Sequence, residues 1–168
     1  MLTRILSICF IVAIFGALAL IIIGASKNAQ KFTEFYMLGI NGQAQDYPTE
    51  YIMNNGKISQ VLYDNGTVDT SSESGIVILG IINQTQQTAV YCVKMAINGY
   101  PVSIELDGTS NEVLGPIKLQ QGQKWEQEIG IVPNKSGDNQ EVELFLFKDG
   151  ENTANDSLHL WINVKQIE

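Results

Sequence analysis

Residues Gly75–Asn83 read GIVILGIIN, a run with no charge in it. So short and apolar a stretch, bounded by polar residues, has the pattern of a strand covered on both faces. The next run, Thr88–Ile97, alternates instead: Tyr91, Val93, Met95 and Ile97 share one face, with Lys94 on the other. Asn98-Gly99 then marks a hairpin turn toward Tyr100–Leu106. Working outward, the same grammar repeats. On the amino-terminal side Asn54-Asn55-Gly56 separates Tyr51–Met53 from Lys57–Tyr63, and Asp64-Asn65-Gly66 ends that run. On the carboxyl-terminal side Gly115-Pro116 precedes Ile117–Leu119, and Gln120-Gln121-Gly122 turns into Gln123–Val132. There Trp125, Ile129 and Ile131 oppose Lys124, Glu126 and Glu128. Glu141–Lys148 alternates Val142, Leu144 and Leu146 against Glu141, Glu143 and Phe145. Ser157–Val164 sets Leu158, Leu160, Ile162 and Val164 against Ser157, His159, Trp161 and Asn163. Such period-two runs between turn signals predict an all-β body over residues 32–168. The expected form is an immunoglobulin-like antiparallel β-sandwich of seven to eight strands, with a partly open barrel as the alternative.

The opposite pattern lies at the amino terminus. Ile5–Gly24 holds 20 residues without a charge, 13 of them Ile, Leu, Val or Phe. At roughly 0.3–0.6 kcal/mol each, these favour the bilayer by about 4–8 kcal/mol. As a helix the segment spans about 30 Å, the thickness of the hydrocarbon core. It therefore reads as one transmembrane helix, residues 5–24, after a leader at 1–4 and before a polar tether at 25–31. A cleaved signal peptide is the rival, with Arg4 as its basic region and Gly24-Ala25-Ser26 as a cleavage site. The apolar run exceeds the 7–15 residues usual for such peptides, which favours an uncleaved signal anchor. Arg4 before the span and Lys27 and Lys31 after it give no orientation. The short leader, and Asn-x-Ser/Thr sequons at Asn65, Asn83, Asn134 and Asn155, favour an extracytoplasmic carboxyl-terminal body.

Composition excludes some functions. The 168 residues carry a net charge of −8, and all 18 acidic residues lie beyond the apolar segment. Neutralising phosphates takes a basic surface, so nucleic-acid binding is excluded. Nucleophile-elbow, phosphate-loop and His-Glu-x-x-His motifs are absent from the sequence. His159 is the one His, and Cys92 the one Cys beyond the apolar segment. Glu126/Glu128 and Glu141/Glu143 lie opposite apolar residues and read as solvated strand faces. No catalytic, cofactor-binding or metal-ligating residue is expected. Calcium is the least weak cofactor option, with oxygen ligands at Asp149, Glu151, Asn152, Asn155 and Asp156 and at Asp64, Asn65 and Asp69, though neither loop has a known calcium spacing. Trp161 and Phe145 point away from the predicted core. With His159 and Tyr47 they form the candidate interaction surface.

The stretch Phe32–Thr49, FTEFYMLGINGQAQDYPT, carries a family resemblance. It resembles the family catalogued as domain of unknown function 1616, of archaeal and some bacterial membrane proteins, whose segment after a membrane helix reads F-T-E-F-Y, L-G, N/E-G-x-A and D/N-Y-P. Here these fall on Phe32–Tyr36, Leu38-Gly39, Asn41–Ala44 and Asp46–Pro48. Gly80–Asn83, Lys124–Glu126, Phe147–Gly150 and Leu158–Val164 are similar to its later elements. Ile40 departs from the Pro or Glu more usual there, and family members often carry several membrane helices. The resemblance implies membrane attachment and architecture, and no activity. On this reading Phe32, Phe35 and Tyr36 are interface aromatics, with Phe35 or Leu38 entering the sandwich. The expectation is a non-enzymatic, single-pass cell-membrane protein displaying a protein- or glycan-interaction or structural module. Alternatives are a pilin-like filament subunit and an accessory subunit of a membrane glycan-assembly system.

Overall fold

The computed structural model describes residues 32–69 and 73–167, and every helix or strand assigned within them is a strand. In chain order they are β1 (Thr33–Leu38), β2 (Pro48–Asn54), β3 (Lys57–Tyr63), β4 (Val68–Asp69), β5 (Gly75–Asn83), β6 (Ala89–Ile97) and β7 (Tyr100–Val102). Then come β8 (Ile104–Leu106), β9 (Thr109–Asn111), β10 (Leu114–Leu119), β11 (Lys124–Ile131), β12 (Gly137–Lys148) and β13 (Asp156–Ile167). No helix among these residues is long and apolar enough to cross a membrane. The expected leader, membrane span and tether, residues 1–4, 5–24 and 25–31, lie outside the described residues.

Two sheets face each other. The smaller has the order β1-β5-β11-β8-β9. The larger runs β10-β6-β12-β13-β2-β3-β4, with β7 also paired to β6. Their inner faces supply the core: Val77, Leu79, Ile81, Ile104 and Ile131 from one, Tyr51, Val61, Tyr91, Val93 and Leu146 from the other, all without solvent exposure. Each such side chain contributes about 1.5–3 kcal/mol on burial. The sandwich-like all-β fold is thus the one the alternation predicts.

The strand count and one strand direction differ from expectation. Thirteen strands appear among the described residues in place of seven or eight. Four of them, β4, β7, β8 and β9, are two or three residues long, too short to print a period-two pattern. Tyr100–Leu106, expected as one strand, divides at Ser103. Its first part pairs with β6 in the larger sheet and its second with β11 in the smaller. The sandwich is also not wholly antiparallel. β13 lies parallel to β2, with Asn163 opposite Glu50. Alternation reports which face a residue takes and says nothing of strand direction, so the pattern could not show this.

GIVILGIIN forms β5, a central strand flanked by β1 and β11. Its inner face is fully buried, while Ile76, Ile78 and Ile82 on the other face are only half-buried. Cover over that outer face comes from Tyr36 on β1, whose ring lies across Gly80; a Cβ at position 80 would collide with the ring. Phe35 faces inward and is buried, so neither it nor Tyr36 stands free as an interface aromatic. Gly39 is constrained in the same way by the Gln45 and Asp46 carbonyls.

The Gly80 contact makes a measurable prediction. Gly80→Ala is expected to cost about 1–3 kcal/mol in urea unfolding, the range for overpacking. In a Tyr36→Ala background the same substitution should cost much less. Equal penalties in both backgrounds would show that the ring does not set the constraint.

Candidate functional site

Register on the larger sheet decides which side chains meet. β12 and β13 pair antiparallel with Glu141 opposite Trp161, Glu143 opposite His159 and Phe145 opposite Ser157. Inward residues at Val142, Leu144, Leu146, Leu160 and Ile162 are buried, so the alternating set stands on the outer face. His159 Nδ1 lies 3.0 Å from Glu141 Oε1 and 4.0 Å from Glu143 Oε1. Its Nε2 lies 3.2 Å from Ser157 Oγ. The Trp161 ring stacks against the imidazole at 6.2 Å between centroids and remains 52% exposed. On the neighbouring strand, Lys94 Nζ sits 5.0 Å above the Phe147 ring, a cation–π contact.

Three of the four expected surface residues therefore share one face. Trp161 is well exposed, His159 stands next to it and meets the Glu141 carboxylate, and Phe145 is half-buried farther along the same face, opposite Ser157. Tyr47 does not join them. It is half-buried against the core, and its hydroxyl donates to the Met37 carbonyl at 3.0 Å, closing the loop between β1 and β2. The expectation of solvated carboxylate faces changes too. Glu141 and Glu143 flank an imidazole 16–18 positions away in the chain, a proximity that only the β12–β13 pairing creates. Among the described residues these three are the group of His, Cys, Asp and Glu side chains placed to share a metal ion, with ligand atoms within 4.8 Å of one another.

The two loops weighed for calcium carry hydrogen bonds of their own. Asp149 Oδ1 accepts from the Val90 amide at 2.9 Å, Asp156 Oδ1 from the Ser157 amide at 2.8 Å, and Asn155 donates to Glu151 at 2.7 Å. In the second loop Asn65 Oδ1 accepts from both the amide and hydroxyl of Thr67 at 2.8 Å.

The sequons are not equivalent. Asn65, Asn134 and Asn155 are exposed. Asn83 is 0% exposed, which overturns it as an acceptor site in the folded domain. Its amide donates to the Gln87 and Leu119 carbonyls at 2.8 and 2.9 Å. Its Oδ1 accepts from the Thr85 amide at 3.0 Å and the Thr85 hydroxyl at 2.6 Å. Both donors and both acceptor lone pairs are used, so one side chain ties β5 to the end of β10 and to the following loop.

The outer face of the smaller sheet holds a second polar cluster. The Tyr36 hydroxyl donates to Glu126 Oε2 at 2.6 Å, and Lys124 Nζ meets the same oxygen at 2.6 Å. Lys124, and after it Tyr36, holds the Glu126 carboxyl below its ordinary 4.5. The Lys124 ammonium is raised in return, first by Glu126. Burial, followed by the hydrogen bond to Glu126, raises the Tyr36 hydroxyl. On the larger sheet, hydrogen bonding from Asn163, outweighing burial and aided by Lys165, lowers Glu50. Here the quoted motifs meet in space. Tyr36, Gly80 and Glu126 align across β1, β5 and β11, as do Phe35, Ile81 and Trp125.

A family model described as Domain of unknown function (DUF1616) matches residues 54–163. The chain belongs to this family. The DUF1616 match takes in Gly80–Asn83, Lys124–Glu126 and Phe147–Gly150 and runs into Leu158–Val164, while Phe32–Thr49 precedes it. No curated protein matches the chain. Solved structures similar to this DUF1616 chain include the CARDB domain of the PF1109 protein from Pyrococcus furiosus, in complex with di-metal ions. That likeness is 11% identical, covers 80% of this chain and 90% of that one, and has a TM-score of 0.43. The native conformation of E. coli alpha-2-macroglobulin is 17% identical over 80% of this chain and 6% of that one, with a TM-score of 0.36. The N-terminal domain of PorA is 10% identical over 79% of this chain and 98% of that one, with a TM-score of 0.35.

Two measurements check the buried and charged groups of this DUF1616 domain. Asn83→Ala should cost about 2–4 kcal/mol in urea unfolding, because the Gln87 and Leu119 carbonyls lose their donors away from water. Asn65→Ala, in an exposed turn, should cost less than about 1 kcal/mol. The second concerns acid. Glu50 and Glu126 have folded pKa values below the ordinary 4.5, so their contribution is complete above that pH and is lost as pH falls through the folded values. The stability of Glu50→Gln/Glu126→Gln should therefore fall less steeply than wild type below about pH 4.5. Parallel curves would refute this assignment.

Proposed function

We propose that this DUF1616 chain is a non-enzymatic envelope protein, a single-pass anchor at residues 5–24 carrying an extracytoplasmic interaction module. The observation that carries the reading is Trp161, half exposed on the outer face of the larger sheet and stacked against His159. A large aromatic at such a position supplies contact area with little conformational entropy to lose, which is why Trp is enriched at the centres of interfaces. Carboxylates at Glu141 and Glu143 beside the Trp161–His159 pair give a polar rim with hydrogen-bonding capacity for a protein or glycan surface, and Lys94 adds an ammonium farther along the face, opposite Phe145. The acidic balance of the chain and its apolar segment at 5–24 fit a body held beside the membrane by that segment, with no charge attraction to anionic lipid.

Cross-linking in intact cells followed by detergent extraction tests the contact face. Wild type is expected to give a discrete adduct that Trp161→Ala reduces about tenfold or more, consistent with loss of a hot spot. Both proteins should melt at nearly the same temperature. An adduct unchanged by Trp161→Ala would remove this face from the interaction. Protease added to intact cells should digest the carboxyl-terminal domain, and a fully protected domain would overturn its outward display.

A further inference from the structure

We propose that Glu141, Glu143 and His159 form a surface site for a divalent transition cation of the zinc type. The site stands on the outer face of the β12–β13 pair and leaves coordination positions open to water.

The donor set comes first. One imidazole nitrogen and two carboxylates approach one another from two adjacent strands, with ligand atoms within 4.8 Å of one another. For metal–ligand bonds of about 2.0–2.2 Å, neighbouring donors on one ion stand about 3.0–3.5 Å apart. The observed 3.0 and 4.0 Å from His159 Nδ1 to the two carboxylates bracket that spacing. Small side-chain rotations suffice to bring all three onto one ion, and two carboxylates neutralise its charge. An imidazole in the set selects zinc, nickel, cobalt or copper over calcium and magnesium, which take oxygen.

The support around the donors is the second part. β12 and β13 are each 12 residues long and lie inside the larger sheet, between β6 and β2, so the ligands stand on rigid backbone. Ser157 Oγ meets His159 Nε2 at 3.2 Å. With the proton on Nε2 and donated to Ser157, the Nδ1 lone pair faces Glu141 and Glu143, the arrangement in which metal-binding imidazoles are held. Trp161 walls the ring on one side. The site shares residues with the proposed contact face but does not rest on it, because binding is read on the chain alone.

Those features also supply the assay. His159 is the only His and Trp161 one of two Trp residues, the other, Trp125, lying on the other sheet. The full chain, purified in detergent without a polyhistidine tag and stripped with chelator, is titrated with Ni²⁺ while Trp fluorescence is followed. Saturable quenching with one-to-one stoichiometry is expected, reversed by Zn²⁺ and not by equal Ca²⁺. His159→Gln should raise the midpoint by about tenfold or more, and Glu143→Gln by several-fold, while Glu128→Gln leaves it unchanged. Wild-type circular dichroism and melting temperature are required of each variant. Should His159→Gln fail that control, Glu141→Gln/Glu143→Gln takes its place with the same expected loss. No saturable quenching up to about 1 mM Ni²⁺, a midpoint unaltered in the folded variants, or equal displacement by Ca²⁺ would overturn the site.

Discussion

Desolvation of one face of β5 is the constraint on which the other features depend. Val77, Leu79 and Ile81 reach zero exposure there, and the strand is paired on both edges. A slip of one residue would turn Gly80 inward and expose Leu79, exchanging a full side chain for none in the densest part of the core. Register fixed by that burial passes to the neighbours. It places Phe35 and Trp125 at Ile81 and Tyr36 and Glu126 at Gly80. Tyr36 can lie flat only because position 80 carries no side chain. The Tyr36–Glu126–Lys124 cluster on this outer face is thus a consequence of packing on the opposite face of the same strand.

Facing was legible in the sequence, and connectivity was not. For the long strands, alternation assigned inner and outer residues correctly, because burial on a pleated strand repeats every second residue. Tyr91, Val93 and Met95 are buried as read, and Lys94 is exposed. The switch at Ser103 was invisible because each half of Tyr100–Leu106 is only three residues long. The parallel β2–β13 pair was invisible because it joins segments over a hundred residues apart. Asn83 misled for a different reason. Its sequon is a local pattern, while its burial depends on the Leu119 carbonyl of a distant strand.

The candidate site shows the same division more sharply. His159 and Trp161 were correctly placed on the outer face, and Glu141 and Glu143 on the outer face of their own strand. Each pair read alone is bland. Their meaning comes from the β12–β13 register, which sets Glu143 against His159. Closing a hairpin at the expected ends, Lys148 with Ser157, would set Glu143 against Ile162, so the strand bounds legible in the sequence do not give this register.

The DUF1616 motifs explain shape more than chemistry. Gly80 and Tyr36 fit each other, Asn83 pins two loops, and Asp149 exchanges hydrogen bonds with Val90 at the end of the β6–β12 ladder. Even Asn163, outward on β13, has structural work: it donates to Glu50 at 2.6 Å and accepts from the Asn139 amide at 2.7 Å. His159 and Trp161 differ. Neither fills the core, and an exposed Trp adds apolar surface that favours unwanted association. Folding alone therefore gives no reason for this pair on the outer face of β13. Gly80, Asn83 and Asn163 each answer a packing or hydrogen-bonding demand of the fold, whereas the His159–Trp161 pair buries no core surface, and such residues are where function is to be sought.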